Sequence, residues 1–329
     1  MANILQRYGF TRQLNFVLPR RRMHTTSYNY ITKVGEAVSH DRLIPPPLGE
    51  HYDILWNHGI YDSQFYHSIL PADTVYVSIL RQPLQQFQSA FEYYGRSSGS
   101  PLYNIMQVNV SNPLSLYLQQ PSLYNGREVY TSYIRNKQSE DLGMRTEHVL
   151  NDTMRREYIQ QLGKEFQLVM ITEFFDESLV LLRRLMCWSV KDVLYIPKNK
   201  NVYKKKRVFS AKDRAEHRKL NVADYDLYNF FLKRFSDTVA KQKPDFRKEV
   251  AYFKELLQNV QSYCSQVGGA SVLEVPRTQW NAQFTVGPED CRLMQKPVLP
   301  FLNDLMVDGV RKYKESVERA KKSHSSGAV

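Results

Sequence analysis

The chain has 329 residues and carries 45 Lys+Arg against 33 Asp+Glu, a net charge of +12, with 42% hydrophobic and 12% aromatic residues, 22 of them Tyr. That balance excludes a disordered chain, and 14 Gly with 15 Pro exclude a collagen-like or low-complexity one. No window approaches the ~18 continuous apolar residues of a spanning helix, and the N-terminal MANILQRYGF lacks the apolar core of a secretory signal, so the expectation is a soluble, basic, globular chain.

Asn3 to Tyr8 reads as a short amphipathic helix ending at Gly9, followed by an Arg-rich loop (Arg20, Arg21, Arg22). Tyr52 to Trp56 is an apolar run suited to a buried strand. Thr74 to Leu80 is a stronger, β-branched strand, expected to be covered on both faces. It stops at Arg81-Gln82-Pro83, where Pro83 suits the first turn of a helix with Leu84, Phe87, Phe91 and Tyr94 on its apolar face. Gly95 ends that helix, and the Ser/Gly loop Arg96–Ser100 follows.

The Tyr-rich stretch 101–150 predicts short helical pieces and little sheet. Gln167 to Ile171 is a third strand. Its successor helix starts near Asp176-Glu177, with Phe174, Leu179, Leu182, Leu185 and Met186 on one side, and Phe174-Phe175 expected in the core. Asp192 to Ile196 suggests a short strand before the basic run Lys198–Arg207. Helices are expected at about 211–241, 245–263 and 301–321. Strand–helix alternation over 50–196 argues for a parallel α/β sheet.

Three cysteines are too few for a disulfide scaffold and lack metal-ligand spacing. Cys187, in an apolar helical stretch, is expected buried. Cys264 and Cys291 flank a Gly-containing loop and could bridge in an oxidising compartment. Sequons at Asn109 and Asn151 permit a secretory-pathway location.

Open α/β sheets bind ligands at the C-terminal edge of their strands. Arg81 sits at such an edge, and Ser89 lies one to two turns into the next helix. A guanidinium and a hydroxyl so placed can hold a phosphate, although spacing alone favours an ordinary surface Arg and helix Ser. His58 follows the Tyr52–Trp56 run. If that run neighbours the Thr74–Leu80 strand, His58 shares an edge with Arg81 and could accept a proton from a sugar hydroxyl. Lys204-Lys205-Lys206-Arg207 could meet polyanions, but no zinc knuckle, RNP pattern or helix-turn-helix accompanies it, so nucleic acid is not the expected partner. P-loop, GxGxxG, GxSxG and HExxH motifs are missing from the sequence.

The segment Asp73 to Pro83 with Phe87, Ser89, Phe91 and Tyr93-Tyr94-Gly95 resembles the 3′-phosphate-binding segment of the galactose-3-O-sulfotransferase family. The likeness continues through Tyr133-Ile-Arg135-Asn136, Asp141-Leu-Gly143, Glu173 to Arg184, Trp188, Asp192 to Tyr195, and Asn221 through Asp224 to Tyr228, covering roughly residues 3–235. The resemblance implies a P-loop-NTPase-like sulfotransferase fold: a parallel sheet flanked by helices, with a mostly helical C-terminal part. A sulfotransferase domain at 1–245 and a helical extension with a basic tail at 246–329 are expected. The implied donor is 3′-phosphoadenosine 5′-phosphosulfate (PAPS), without a metal. The acceptor would be the 3-hydroxyl of a β-galactose on glycolipid or glycoprotein, on the lumenal face of the Golgi membrane. Arg81 and Ser89 would bind the donor's 3′-phosphate and His58 would be the general base, with Arg135 a further possible contact.

The family's 5′-phosphosulfate loop, rich in Lys, Ser and Thr, normally precedes a helix that Met1 to Leu5 resembles. The resemblance therefore implies an N-terminally truncated chain of impaired activity, with the first strand and a membrane anchor upstream. Gln82 stands where the family has Asp. The rival expectations are a non-catalytic nucleotide- or glycan-binding relative and a sulfotransferase for another sugar hydroxyl.

Overall fold

In the computed structural model, which describes residues 1–20, 31, 39–95, 102–124, 133–197, 207–266 and 272–326, the chain is mixed α/β and mostly helical. The first half contains α1 (Ala2–Thr11), α2 (Ser63–Ile69), β1 (Val77–Leu80), α3 (Pro83–Tyr94), α4 (Tyr103–Met106), α5 (Pro113–Gln119), α6 (Pro121–Tyr124), α7 (Lys137–Asp141), α8 (Thr146–Leu150) and α9 (Asp152–Glu165). The second contains β2 (Leu168–Ile171), α10 (Phe175–Leu185), α11 (Val190–Val193), α12 (Ala211–Leu220), α13 (Val222–Ala240), α14 (Asp245–Gln266), β3 (Leu273–Val275), β4 (Phe284–Val286), α15 (Pro288–Gln295) and α16 (Val298–Ser326). They fall into two compact units. One comprises Met1–Thr74, Leu179–Lys198 and Pro244–Val329, the other Val75–Ser178 and Asn199–Lys243.

The second unit is organised by β1 and β2, a parallel pair in register from Val77↔Leu168 to Leu80↔Ile171. Every β2 residue is buried, which explains its unbroken apolar sequence. From the C-terminal end of β1 the chain turns into α3. Pro83 occupies the first turn, where its missing N–H costs nothing, and Gln82 caps the helix by accepting from the Gln85 amide at 2.8 Å. Leu84, Phe87 and Phe91 pack into a core with Ile105, Leu114 and Tyr117. Gly95 closes the helix with a right-handed φ of −66°. Its requirement is space: a Cβ there would lie 2.5 Å from Cγ of Met106.

In the first unit, Phe16, Leu18 and Ile44 pack with Phe301, Leu302 and Leu305 of α16. The Glu249 carboxylate of α14 is nearly buried and takes both Arg183 and Arg184 of α10, with Nε–O distances of 2.9 and 2.7 Å. Splitting such a trio would strand a buried charge. β3 and β4 form an antiparallel pair that the sequence reading did not anticipate. Cys264 on α14 and Cys291 on α15 are disulfide-bonded, with Cα atoms 5.4 Å apart.

Several expectations are corrected. The first helix passes through Gly9 to Thr11, and the left-handed residue beyond it is Gln13 at φ 58°. Gly9 is instead required by contact, since a Cβ would sit 2.3 Å from the Phe16 ring. Tyr52–Trp56 forms no strand: Ile54 makes a single parallel bridge to Phe16, and the Tyr52 hydroxyl donates to the Ile44 carbonyl at 2.8 Å. Asp192–Ile196 is no strand either. Ser189 and Asp192 form a reciprocal capping box that starts the helical turn α11, overriding the β-branched residues around it. Cys187 is exposed, not buried. It lies just past α10 at φ 53°, and the turn buries Trp188 in its place. Phe174 is also 44% exposed, stacked on Phe235. Arg21, Arg22, the 96–100 loop and Lys198–Lys206 lie outside the described residues. Among the described residues no helix is long and apolar enough to cross a membrane.

The Cys264–Cys291 bridge closes a span of 27 residues. Replacing both cysteines with Ser is expected to lower unfolding free energy by about 3 kcal/mol. A denaturant midpoint unchanged in the double variant would show that the bridge is energetically idle.

Candidate active site

The turn at the C-terminal end of β1 faces an elementary problem. The β1–β2 ladder ends at Leu80↔Ile171, and the first α3 amides have no intrahelical partner. Arg81 and Gln82 lie between the two, where unpaired backbone groups would cost about 1–3 kcal/mol each if buried. Side chains from elsewhere in the unit fill the gap. The Arg81 amide donates to Oε1 of Gln138 at 2.7 Å, and Nε2 of Gln138 donates to the Arg81 carbonyl at 2.9 Å. The Gln82 amide donates to Oε1 of Glu173 at 2.9 Å. The Thr172 hydroxyl donates to the Leu80 carbonyl at 3.0 Å.

Gln138 is itself held from α13. Asp224, essentially buried, accepts from the Ser139 amide and hydroxyl, both at 2.8 Å, and from the Gln138 amide at 3.3 Å. Asn136, left-handed at φ 49°, receives the Ala223 and Asp224 amides on its side-chain oxygen, and its own amide donates to Asn221 at 2.8 Å. Asn tolerates this backbone region better than most residues. Glu173 is braced in turn by the Tyr228 hydroxyl at 3.2 Å. Burial, with help from the Glu173 charge, pushes that phenol up to about 12. The segments around 81, 136–139, 173 and 221–228, distant in sequence, thus converge on one turn.

Arg81 is half-buried, and its Nε is buried with no acceptor among the described residues. A shielded guanidinium N–H without a protein partner suits an anionic ligand supplying the acceptor. Ser89 lies on α3, half-buried, in the same unit as Arg81. His58 belongs to the first unit, is exposed, and accepts the Ile31 amide on its carbonyl at 2.7 Å. The partner of β1 is β2, not the Tyr52–Trp56 segment, so the shared-strand-edge argument for His58 fails and its role rests on the resemblance. Arg135 is half-buried beside Ile134. Arg207, the described member of the basic run, lies 3.6 Å from the buried Glu92 carboxylate of α3, an ion pair without a hydrogen bond, so its buried Nε shares with Arg81 the lack of an acceptor among the described residues.

Spacing arguments missed Gln138 altogether. Asn136, Glu173 and Asp224 stood inside the matching blocks, but no periodicity signals that the Glu173 side chain serves a turn residue 91 positions earlier. Another buried group was unforeseen: His217 meets the Tyr225 hydroxyl through Nδ1 at 3.1 Å and lies 4.7 Å from the Phe87 ring. Burial pulls it down to about 4, so it packs as a neutral ring. Among the described residues no group of three His, Cys, Asp or Glu is arranged to hold a metal.

A family model described as galactose-3-O-sulfotransferase matches residues 1–281. The galactosylceramide sulfotransferases of Mus musculus and Homo sapiens are 27% and 26% identical over 325 and 328 residues, covering 93% of this chain and 74% of their own length. Galactose-3-O-sulfotransferase 3 of Mus musculus is 31% identical over 270 residues, 80% of this chain and 60% of its own length. No solved structure matches.

Burial raises the Asp224 carboxyl to about 6, outweighing the three donors that would pull it down. The folded chain then keeps a proton that the unfolded chain releases near the ordinary aspartate value. The resulting stabilisation is complete at about pH 4 and is lost as pH rises through about 6. Relative to Asp224→Asn, the wild-type chain should lose on the order of 2 kcal/mol between pH 4 and 7. Urea unfolding of both proteins across that range checks it; parallel curves would mean that Asp224 is ionised throughout.

Proposed function

The chain belongs to the galactose-3-O-sulfotransferase family, and on that premise we propose that it transfers the sulfuryl group of PAPS to the 3-hydroxyl of a β-galactose carried by a glycolipid or glycan. The observation that carries the reading is Arg81: a guanidinium at the C-terminal end of a parallel strand, at the head of a helix, with a buried Nε that no described residue accepts from. In this reading Arg81 and Ser89 grip the 3′-phosphate of the donor. His58 takes the proton from the galactose hydroxyl as its oxygen attacks sulfur. The bond from sulfur to the 5′-phosphate oxygen breaks, and adenosine 3′,5′-bisphosphate leaves. The chemistry requires little beyond in-line positioning and stabilisation of charge on the departing phosphate.

The reading includes a P-loop-NTPase-like fold, supported by the parallel β1–β2 pair with α3 springing from its C-terminal end. It also places the chain in the Golgi lumen. The Cys264–Cys291 disulfide and the exposed Asn109 and Asn151 sequons support an oxidising, glycosylating compartment. A net charge of +12 suits an enzyme whose donor and product are polyanions.

Calorimetry and a sulfate-transfer assay test the reading. Arg81→Ala should weaken binding of adenosine 3′,5′-bisphosphate by about 1.5–3 kcal/mol, the scale of a charge-assisted hydrogen bond. Unchanged affinity would remove Arg81 from the donor site. His58→Ala should cut turnover by about 10²–10⁴ with bisphosphate affinity nearly intact; unaltered turnover would disqualify it as the base. Nucleotide binding without transfer to any galactoside, by a chain that carries the family's 5′-phosphosulfate loop, would mark a non-catalytic relative.

A further inference from the structure

We infer that Gln138 is a positioning residue for the nucleotide's 3′-phosphate, acting through the backbone of Arg81, which it never needs to leave in order to serve a ligand it does not touch. The inference rests on the reading that Arg81 holds that phosphate.

Arg81 is the first residue past the β1–β2 ladder, so no neighbouring strand fixes its backbone. Strand ends fray, and a guanidinium on a fraying end samples many positions. Gln138 stands in for the missing strand. Its carboxamide presents an acceptor and a donor along one edge, and it engages both the N–H and the C=O of Arg81, at 2.7 and 2.9 Å. A single side chain therefore completes one more rung of the sheet and sets the direction in which the Arg81 side chain departs.

The clamp is rigid because its base is rigid. The Gln138 amide and the adjoining Ser139 are tied to the buried Asp224 carboxylate, and Asn136 is tied to Asn221, Ala223 and Asp224. The next residue of the turn, Gln82, is fixed separately by Glu173. The chemistry is specific to glutamine. A carboxylate in its place keeps the acceptor for the Arg81 amide but sets an oxygen against the Arg81 carbonyl, a repulsive pair until it is protonated.

A double-mutant cycle read by calorimetry with adenosine 3′,5′-bisphosphate tests this on the full chain. Gln138→Ala is expected to weaken binding about 10-fold when Arg81 is present and less than 2-fold in the Arg81→Ala background. Equal losses in the two backgrounds, or no loss with Arg81 present, overturn the inference while leaving the donor-site reading intact. If wild-type chain fails to bind the bisphosphate, or Arg81→Ala binds it as well as wild type, the reading itself falls and the inference with it. Gln138→Glu covers the case in which the alanine variant does not fold. Its affinity relative to wild type at the same pH should improve several-fold from pH 7.5 to pH 5, as the new carboxyl gains a proton to donate to the Arg81 carbonyl. A ratio that does not change with pH overturns the inference.

Discussion

The second unit depends on how one break in its hydrogen bonding is repaired. A two-stranded ladder stops at Leu80 and a helix begins at Pro83, leaving main-chain groups that neither element can pair. Three side chains, from Gln138, Thr172 and Glu173, close the break. Each bond adds modest net stability, but leaving any of these groups buried and unpaired would cost more. The break is also where a parallel sheet offers a ligand its best approach. The residues that make the turn stable therefore also determine where Arg81 can reach.

The supporting layer has an internal logic of its own. Asn136 adopts a left-handed backbone that brings the start of α7 against the start of α13, and Asp224 gathers three donors in a site without water access. A buried acid surrounded by donors carries opposing electrostatic tendencies, and here desolvation prevails. Polar networks of this kind specify one arrangement sharply, because any slip strands several groups at once.

What the sequence disclosed follows from the range of the forces involved. Local signals were readable: Pro83 at the start of α3, the two apolar residues a turn apart at Phe87 and Phe91, and the helices at Asp245–Gln266 and Val298–Ser326 appear where periodicity places them. The expected Thr74–Leu80 strand, by contrast, is shortened to Val77–Leu80 and half-buried over Val77–Ile79, and the expected 211–241 helix breaks at Asn221. Short segments governed by capping or by a neighbour's bulk were misread. Asp192–Ile196 carries strand-like residues, yet Ser189 imposes a helical start. Gly9 looked like a stop, whereas Phe16 is the reason for it. Arg81 could be singled out from its place at a strand end. Gln138 could not, since a polar residue in a short helix gives no hint of a partner 57 positions earlier. The matching family blocks indicated which segments belong together without indicating why, and the hydrogen bonds around the turn supply that reason.

The distances along the chain between the turn and its keepers have a consequence for biosynthesis. Arg81 leaves the ribosome well before Gln138, and roughly 150 more residues must be made before the far end of the α13 network exists, which at about 5–20 residues per second takes on the order of ten seconds. Throughout that interval the end of β1 is an uncapped, sticky edge. The turn that carries Arg81 would therefore be among the last features of its unit to mature.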